Sequence, residues 1–475
     1  MGAPTAAVVT PQATQAFDAF SSLVGAEHYW PRLEFRQCCA SGTAVDVKLI
    51  DIVVAAQNAT TSPSTLRTEQ FKDLGNLETY LNDKSHGDFQ TRIFSIHQKN
   101  SWRPLGITGL MLRKVFDTHD IMPEFLEIVL SFGRKTCAIE EAFSGSVFRR
   151  RRGNVTEIAY IFKYPERKEK TDGGDPWSIR QTGVYHRHDM TKNHSIWILL
   201  HPVPDSAGER GLTELLKIPH SRPSLLQNPL LIHGLLFSTY IHKWRDYMTY
   251  YEEKLLPLSN TTMSTWINEP LRLNHQTLTT VRFLENRFLP LAGIFASFSN
   301  VITALRNLNT ELEQASVVSK SDGDAMVQLL ENYQGQTAAY IENARFLQKR
   351  SGGTAQLISD TLAFKNSDVA QVQSGYMLKL TLSTVDDSAT VRVVTIVTLI
   401  YLPFAFMGTV LGMNFFQMNS SHNLVVSPQF WIYFAISVPM TLATIAYWRW
   451  MKWRKDVARE KAAALNSARN LNEKL

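Results

Sequence analysis

The pattern of apolar and polar positions changes character along the chain. Up to residue 65 the sequence is small, polar and punctuated by Pro, Thr and Ser, with one mixed stretch around Tyr29 and Phe35. It predicts a partly flexible N-terminal segment, 1–65. From 66 to 227 short β-rich runs alternate with amphipathic ones. Residues 91–97, 156–164, 180–186 and 195–201 are rich in Ile, Tyr, Val and Trp and bounded by turn residues, so they read as strands. Residues 123–132 read as a helix behind a proline. An α/β domain with a largely antiparallel sheet is expected over 66–227. Beyond 228 the strand signals fade. Residues 231–256, 271–316 and 323–411 carry apolar positions at helical spacing. They predict a long helical stalk over 228–390, interrupted at Gly352 and Gly353.

Two stretches then lose their charges altogether. Residues 393–411 (VVTIVTLIYLPFAFMGTVL) and 430–448 (FWIYFAISVPMTLATIAYW) each run for 19 residues without Asp, Glu, Lys or Arg. At 1.5 Å per residue each spans a hydrocarbon core of about 30 Å. Aromatic residues cluster at both ends of the second stretch, as at membrane interfaces. The expected organisation is therefore a first transmembrane helix at 391–412, an outer loop at 413–429, a second transmembrane helix at 430–448 and a basic tail at 449–475. The linker has no Lys or Arg, whereas Arg449, Lys452, Arg454 and Lys455 follow the second helix. The positive-inside rule then predicts both termini in the cytosol.

Composition changes little of this picture. The chain has 475 residues and a net charge of +6. That balance gives no basic face of the kind that binds nucleic acid. Three cysteines, Cys38, Cys39 and Cys137, form no CxxC pair. They read as reduced thiols, with a vicinal redox or metal role for Cys38 and Cys39 as the alternative. The N-terminus has no basic segment before its short apolar run, so no signal peptide is expected. His186, His188, His194 and His201 raise a zinc site against the alternative of exposed strand histidines. Arg149, Arg150, Arg151 and Arg152 have the look of a localisation signal, with a solvated loop as the favoured reading. Asn419, Ser420 and Ser421 form a glycosylation sequon on the expected outer side. No nucleophile elbow, P-loop or paired carboxylates point to an enzyme.

The chemistry sits at the end of the first apolar helix, where YLPFAFMGTVL runs into Gly412, Met413 and Asn414. Asn414 offers an uncharged amide oxygen, and Gly412 lets the backbone turn and expose its carbonyl. Capping of the helix by Gly412 and Asn414 is the alternative reading, and both roles are compatible. Val391, Thr398, Ala405 and Gly412 recur every seven residues, with Val394, Leu402 and Thr409 at the offset positions. Such a stripe lines a central axis if several copies pack together, or packs helices through small residues. Bulkier apolar rings at Val391, Val394 and Leu402 could close a pore by dewetting.

In these residues the chain resembles the CorA superfamily of divalent metal ion (Mg²⁺) transporters. That family places Gly-Met-Asn directly after the first of two C-terminal spans, often behind a mid-helix proline, here Pro403. The close resemblance covers roughly 388 to 455. It implies an α+β cytosolic domain, a long helical stalk and two transmembrane helices, assembled as a pentameric funnel of identical subunits in the lipid bilayer. It implies a selectivity filter at Gly412, Met413 and Asn414, a pore lined by Thr398, Leu402, Ala405 and Thr409, and a gate at Val391 and Val394. Asp386 and Asp387 would serve as regulatory metal ligands, or form only a solvated helix face. Arg449, Lys452, Arg454 and Lys455 would ring the cytosolic mouth or touch lipid headgroups. No cofactor is implied beyond Mg²⁺ as the transported, and potentially regulatory, ion. The plasma membrane is expected ahead of the mitochondrial inner membrane. The chain departs from the family in its linker, which lacks any Asp or Glu, and in Leu411, where an aromatic is common. Transport of Zn²⁺, Co²⁺ or Ni²⁺, and a non-conducting scaffold, stay open.

Overall fold

The computed structural model describes residues 25–42, 45–53, 65–137, 143, 145–168, 174–218, 221–266, 272–410, 416–418 and 424–472. The chain divides into two compact units, Met1–Leu362 and Ala363–Leu475.

The first unit is built on a seven-stranded sheet of order β2-β1-β3-β7-β6-β5-β4. The strands are β1 (Val47–Val53), β2 (Thr65–Phe71), β3 (Thr91–His97), β4 (Phe148–Arg152), β5 (Val155–Arg167), β6 (Trp177–Asp189) and β7 (His194–His201). All neighbours are antiparallel except β3 and β7, which run parallel and join the two halves of the sheet. The strands expected from alternation are present, and β5 and β6 extend beyond their predicted ends.

Both faces of the sheet are covered, which explains why its central strands read as nearly continuous apolar runs. Tyr160, Phe162 and Tyr164 of β5 and Trp197 and Leu199 of β7 enter one core. Ala159, Ile161, Ile198 and Leu200 enter the other. The second core is closed by α1 (Trp30–Phe35), α2 (Leu74–Asn82), α3 (Gly109–His119) and α4 (Phe125–Leu130). At Gly183 a Cβ would lie 3.0 Å from Ile128, Leu200 and Phe132, so only glycine lets the α4 region pack this closely on β6.

This arrangement corrects the expected domain limits. Residues 25–42 and 45–53, read as part of a partly flexible segment, supply α1 and the inner strand β1, second from the edge of the sheet. Trp30, Leu33, Cys38, Val47 and Leu49 are all core residues. The mixed apolar pattern there was too short to stand out from its polar flanks. Asp51 of β1 and Arg92 of β3 sit opposite each other in the ladder and form a buried two-pronged ion pair at 2.8 and 2.7 Å. Tyr80 donates to the same carboxylate at 2.9 Å.

The helices after residue 206 do not form a free stalk over their whole length. They are α5 (Ala207–Lys217), α6 (Ser221–Gln227), α7 (Leu231–Tyr240), α8 (Lys243–Met263), α9 (His275–Phe288), α10 (Leu291–Gln314) and α11 (Lys320–Val410). Phe237, Trp244, Phe288, Phe298, Leu330 and Ile358 belong to the same core as β5 and β7. Helix α11 buries a position about every three or four residues from Met326 to Ile358. It passes through Gly352 and Gly353 without a break. From 363 onward its described apolar residues are largely exposed, among them Phe364, Tyr376, Leu378 and Leu382.

Two smaller expectations also change. The four arginines 149–152 form the edge strand β4 and are held by carboxylates, Arg149 to Glu311 at 2.8 Å, Arg150 to Glu157 and Arg152 to Asp120 at 3.4 Å. Of the strand histidines, His186, His188 and His201 are buried and His194 is partly buried. His186 stacks on Trp197 with ring centroids 3.8 Å apart and meets His233 at 3.2 Å, while Tyr160 bonds His233 at 2.7 Å. No group of three or more His, Cys, Asp or Glu able to hold a metal occurs among the described residues, which removes the zinc reading there. Cys38, Cys39 and Cys137 are not in disulfides, and burial pushes the Cys39 thiol up to about 12.

Burial lowers His119, His201 and His233 to about 3, with nearby positive charges adding for the first two. It lowers His188 to about 4. An unfolded chain takes up these protons near 6.5, before the folded one does, so stability is full above that value and is lost as the pH falls toward the folded values. Urea unfolding of the full-length protein, followed through the sheet unit, is expected to need less denaturant at each step from pH 7 to 4. A midpoint independent of pH over that interval would refute neutral burial of these rings.

Candidate membrane and ion-pathway site

Among the described residues, three helical stretches are long and apolar enough to cross a membrane: His275–Gln314, Thr390–Val410 and Pro428–Arg454. They differ in how their apolar surface is used. Half of the first window is buried inside the protein, against 11% for each of the other two. In the first, Leu291, Phe295, Phe298, Ile302 and Leu305 face the sheet core.

The second unit holds the end of α11 and α12 (Trp431–Asn472), with a two-stranded hairpin of β8 (Phe416–Met418) and β9 (Leu424–Val426) in the sequence between them. Pro403 and Met407 are buried on α11, and Thr395, Leu399, Phe404 and Ala405 are partly buried. The Tyr433 hydroxyl of α12 donates to the carbonyl of Phe404 at 2.9 Å, and the two rings lie 6.2 Å apart. Along α12, Ser437 and Thr441 follow Tyr433 at four-residue steps and are both buried. Small and hydroxyl-bearing residues let helices approach closely in an apolar medium. Sequence reading missed this contact face, whose signal was the spacing of Tyr433, Ser437, Thr441 and Thr444.

The contact fixes where the heptad stripe points. At about 100° per residue, Val391, Val394, Thr398, Leu402, Ala405 and Thr409 cluster within about 80° of arc, centred roughly opposite Pro403 and Met407. Val391, Val394, Thr398, Leu402 and Thr409 are exposed in the single chain, and Ala405 is partly so. The stripe therefore lies on the far side of α11 from α12.

The threonine hydroxyls on this helix are turned inward. Thr395 donates to the Val391 carbonyl at 2.7 Å, Thr398 to Val394 at 3.0 Å and Thr395 at 2.9 Å, and Thr409 to Phe406 at 2.7 Å. Each hydroxyl spends its one proton on its own backbone and keeps its lone pairs. The helix continues through Pro403. The Thr398 hydroxyl bonds these two carbonyls rather than the one Pro403 frees at Leu399.

Gly412, Met413 and Asn414 lie outside the described residues, as does the sequon at Asn419, Ser420 and Ser421. Asp386 and Asp387 lie within α11, and Lys455 within α12, but their side chains are outside the description. Arg449, Lys452 and Arg454 are exposed on α12, with Lys452 5.7 Å from the Trp448 ring and Arg454 4.9 Å from the Trp450 ring. Such pairs of a cation with an amphipathic ring suit a membrane interface.

The first unit is a two-sided α+β sheet, and two long apolar helices of membrane-spanning length follow it in the sequence. A family profile for CorA-like transporters matches residues 28–263, and the chain belongs to the CorA-like family. Among solved structures, full-length CmaX is 12% identical, with a TM-score of 0.36 over 87% of this chain and 100% of that one. The ZntB cytoplasmic domain of Vibrio parahaemolyticus is 9% identical, with a TM-score of 0.34 over 66% of this chain and 98% of that one. No curated protein matches.

Replacing Tyr433 with Phe removes the hydroxyl bond to Phe404 and keeps the ring. The expected loss of helix-pair stability is about 0.6 kcal/mol, and no more than about 1.7. It is measurable as a lowered thermal midpoint in detergent, and an unchanged midpoint would count against the contact.

Proposed function

We propose that this chain assembles with identical copies, as a pentamer, into a channel that passes hydrated divalent cations, Mg²⁺ first among them, down the electrochemical gradient. The observation that carries this reading is the direction of the heptad stripe. A helix pair that buries only one side of α11 leaves the side bearing Thr398, Leu402, Ala405 and Thr409 for lipid or for further copies. Two helices cannot enclose a pore, so conduction requires a ring in which each copy contributes one lining helix.

The hydroxyl geometry supports the same reading. Mg²⁺ gives up its water reluctantly. Water polarised by a divalent ion is a strong donor and needs acceptors. Thr398 and Thr409, with their protons already placed on the backbone, can only accept in the direction they face. A cation entering at Asn414 and Gly412 would meet Thr409, Ala405, Leu402 and Thr398 before the Val394 and Val391 rings, where dewetting closes the path. An inside-negative potential drives a divalent ion by about 4.6 kcal/mol per 100 mV, twice the value for a single charge. His275–Gln314 stays in the sheet unit, leaving two spans, with both termini in the cytosol of a plasma-membrane protein. The exposed apolar residues between Phe364 and Leu382 support self-association, since unpartnered surface of that extent is costly in water.

A second reading keeps the fold as a non-conducting scaffold. It is favoured by the linker 412–429, which has no Asp or Glu to concentrate cations at the mouth.

Uptake into liposomes, measured over Mg²⁺, Zn²⁺, Co²⁺ and Ni²⁺, separates these. Mg²⁺ flux is expected, and it is expected to fall to background in Asn414→Ala. In that assay Thr398→Cys should make flux sensitive to a thiol reagent, whereas Val397→Cys, on another side of the helix, should not. Absence of flux for every ion would leave the scaffold.

A further inference from the structure

The side of α11 that meets α12 carries a break in its backbone bonding. Pro403 has no N–H, so the Leu399 carbonyl lacks the donor that an unbroken helix would give it. A helix carbonyl points along its own strip toward the residue four places on. For Leu399 that strip runs to Pro403, and it is covered: Leu399 is partly buried and Pro403 is buried. The freed carbonyl is therefore turned toward α12 and away from the heptad stripe. In membrane helices such a carbonyl is re-satisfied by a neighbouring helix or by Ser and Thr side chains.

Two hydroxyls of α12 lie on the covering side. Tyr433 donates to the Phe404 carbonyl at 2.9 Å, one residue past the break, and its ring would lie 3.9 Å from a Cβ at Gly408. Tyr433 stands at the start of α12 and meets residues near the end of α11. From there burial steps through Ser437 and Thr441 on one helix and through Pro403, Leu399 and Thr395 on the other, so the pair runs antiparallel. One step of four residues, about 6 Å along each axis, brings Ser437 level with the strip from Leu399 to Pro403. Ser437 is 0% exposed, and among the described residues its hydroxyl has no hydrogen-bond partner. That sets it apart, because Thr395, Thr398, Thr409, Thr441 and Thr444 each give their proton to a carbonyl of their own helix. A buried donor with an unspent proton on α12 thus faces an acceptor short of one donor on α11.

On the reading of this chain as a channel, we propose that Ser437 is a positioning residue for the gate. Its hydroxyl takes the Leu399 carbonyl when α11 bends at Pro403, and that bond holds the half of the helix bearing Val391 and Val394 in its conducting position. Tyr433 ties the other half to α12 through Phe404, which confines the bend to the break. With the Ser437 bond unmade, as in this structure, the gate is closed. Two packings of one helix pair, differing by a single hydrogen bond, form the bistable element that gating requires.

Hydrogen exchange of the full-length protein in detergent, read on peptides covering 395–407, tests the bond without requiring conduction. Bending opens helix bonds around the break, so amides there exchange from the bent state. Ser437→Ala is expected to slow that exchange about threefold, the factor one hydrogen bond between membrane helices supplies on average. Pro403→Ala returns a helix donor to Leu399, and in that background Ser437→Ala should change nothing. Mg²⁺ uptake into liposomes should follow the same cycle, with Ser437→Ala lowering flux about threefold without lowering the thermal midpoint. Exchange indifferent to Ser437→Ala, or affected equally in both backgrounds, would overturn the bond. Exchange that responds while flux does not would overturn its role at the gate. Absence of Mg²⁺ flux in the unmodified protein would remove the channel reading and the gate with it, and the exchange cycle would still decide the bond.

Discussion

The membrane part of this protein is governed by one constraint: two helices packed together cover only one side of each other. Every backbone group in lipid must be satisfied within its own helix, and the side chains decide what remains outside. On α11 the covered side is Pro403 and Met407, tied to α12 by the Tyr433 hydroxyl on Phe404. The opposite side repeats small, hydroxyl and branched residues every seven positions. A purely lipid-facing surface has no need of such a repeat. A surface facing copies of itself does, because supercoiled packing holds one seam only when the spacing is near 3.5 residues. The inward hydroxyl bonds of Thr398 and Thr409 make these residues tolerable in lipid, yet they also leave acceptors on the seam. The seven-residue period is what tips the reading toward an axis.

The sheet unit answers to a different demand. With helices on both faces, every polar group in the central strands needs an internal partner. Asp51, Arg92 and Tyr80 satisfy one another, and Glu157 takes the Tyr185 hydroxyl at 2.6 Å and the Met122 amide at 3.1 Å. The histidines between the sheet and α7 stay neutral and act as short polar bridges. Breaking one partner of such a group strands the other, so these networks make the sheet register specific.

How much was legible in the sequence followed from how local the signal was. The strands at 91–97 and 195–201 were readable because alternation and turn residues bracket them. The apolar helices at 393–411 and 430–448 were readable from the absence of charge alone. Strand β1 was lost because its short apolar run, interrupted by Lys48 and Asp51, sits among small and polar residues. The burial of His186 and His188 was hidden because their cover, α7, lies some 45 residues on, and HRH looks polar until Trp197 and His233 close over it. The four arginines at 149–152 show the reverse error. Their charge suggested a loop, whereas each finds a carboxylate once the edge strand forms.

The donor set of the proposed path also bears on the choice of ion. Between 391 and 414 there is no His, Cys, Asp or Glu, and the donor atoms of the proposed path residues are threonine hydroxyls, backbone carbonyls, one asparagine amide and the single thioether of Met413. Zn²⁺, Co²⁺ and Ni²⁺ gain most from nitrogen and sulfur ligands, which could hold them after dehydration. Neutral oxygen acceptors offer such ions little beyond what water already gives. They suit an ion that keeps its water and is recognised through it, which is the behaviour of Mg²⁺. The same weakness explains why an uncharged mouth need not forbid conduction. A carboxylate ring raises local concentration but also deepens the well the ion must leave. With the membrane potential supplying the drive, shallow sites favour passage over retention, and ion choice then rests on hydration rather than on affinity.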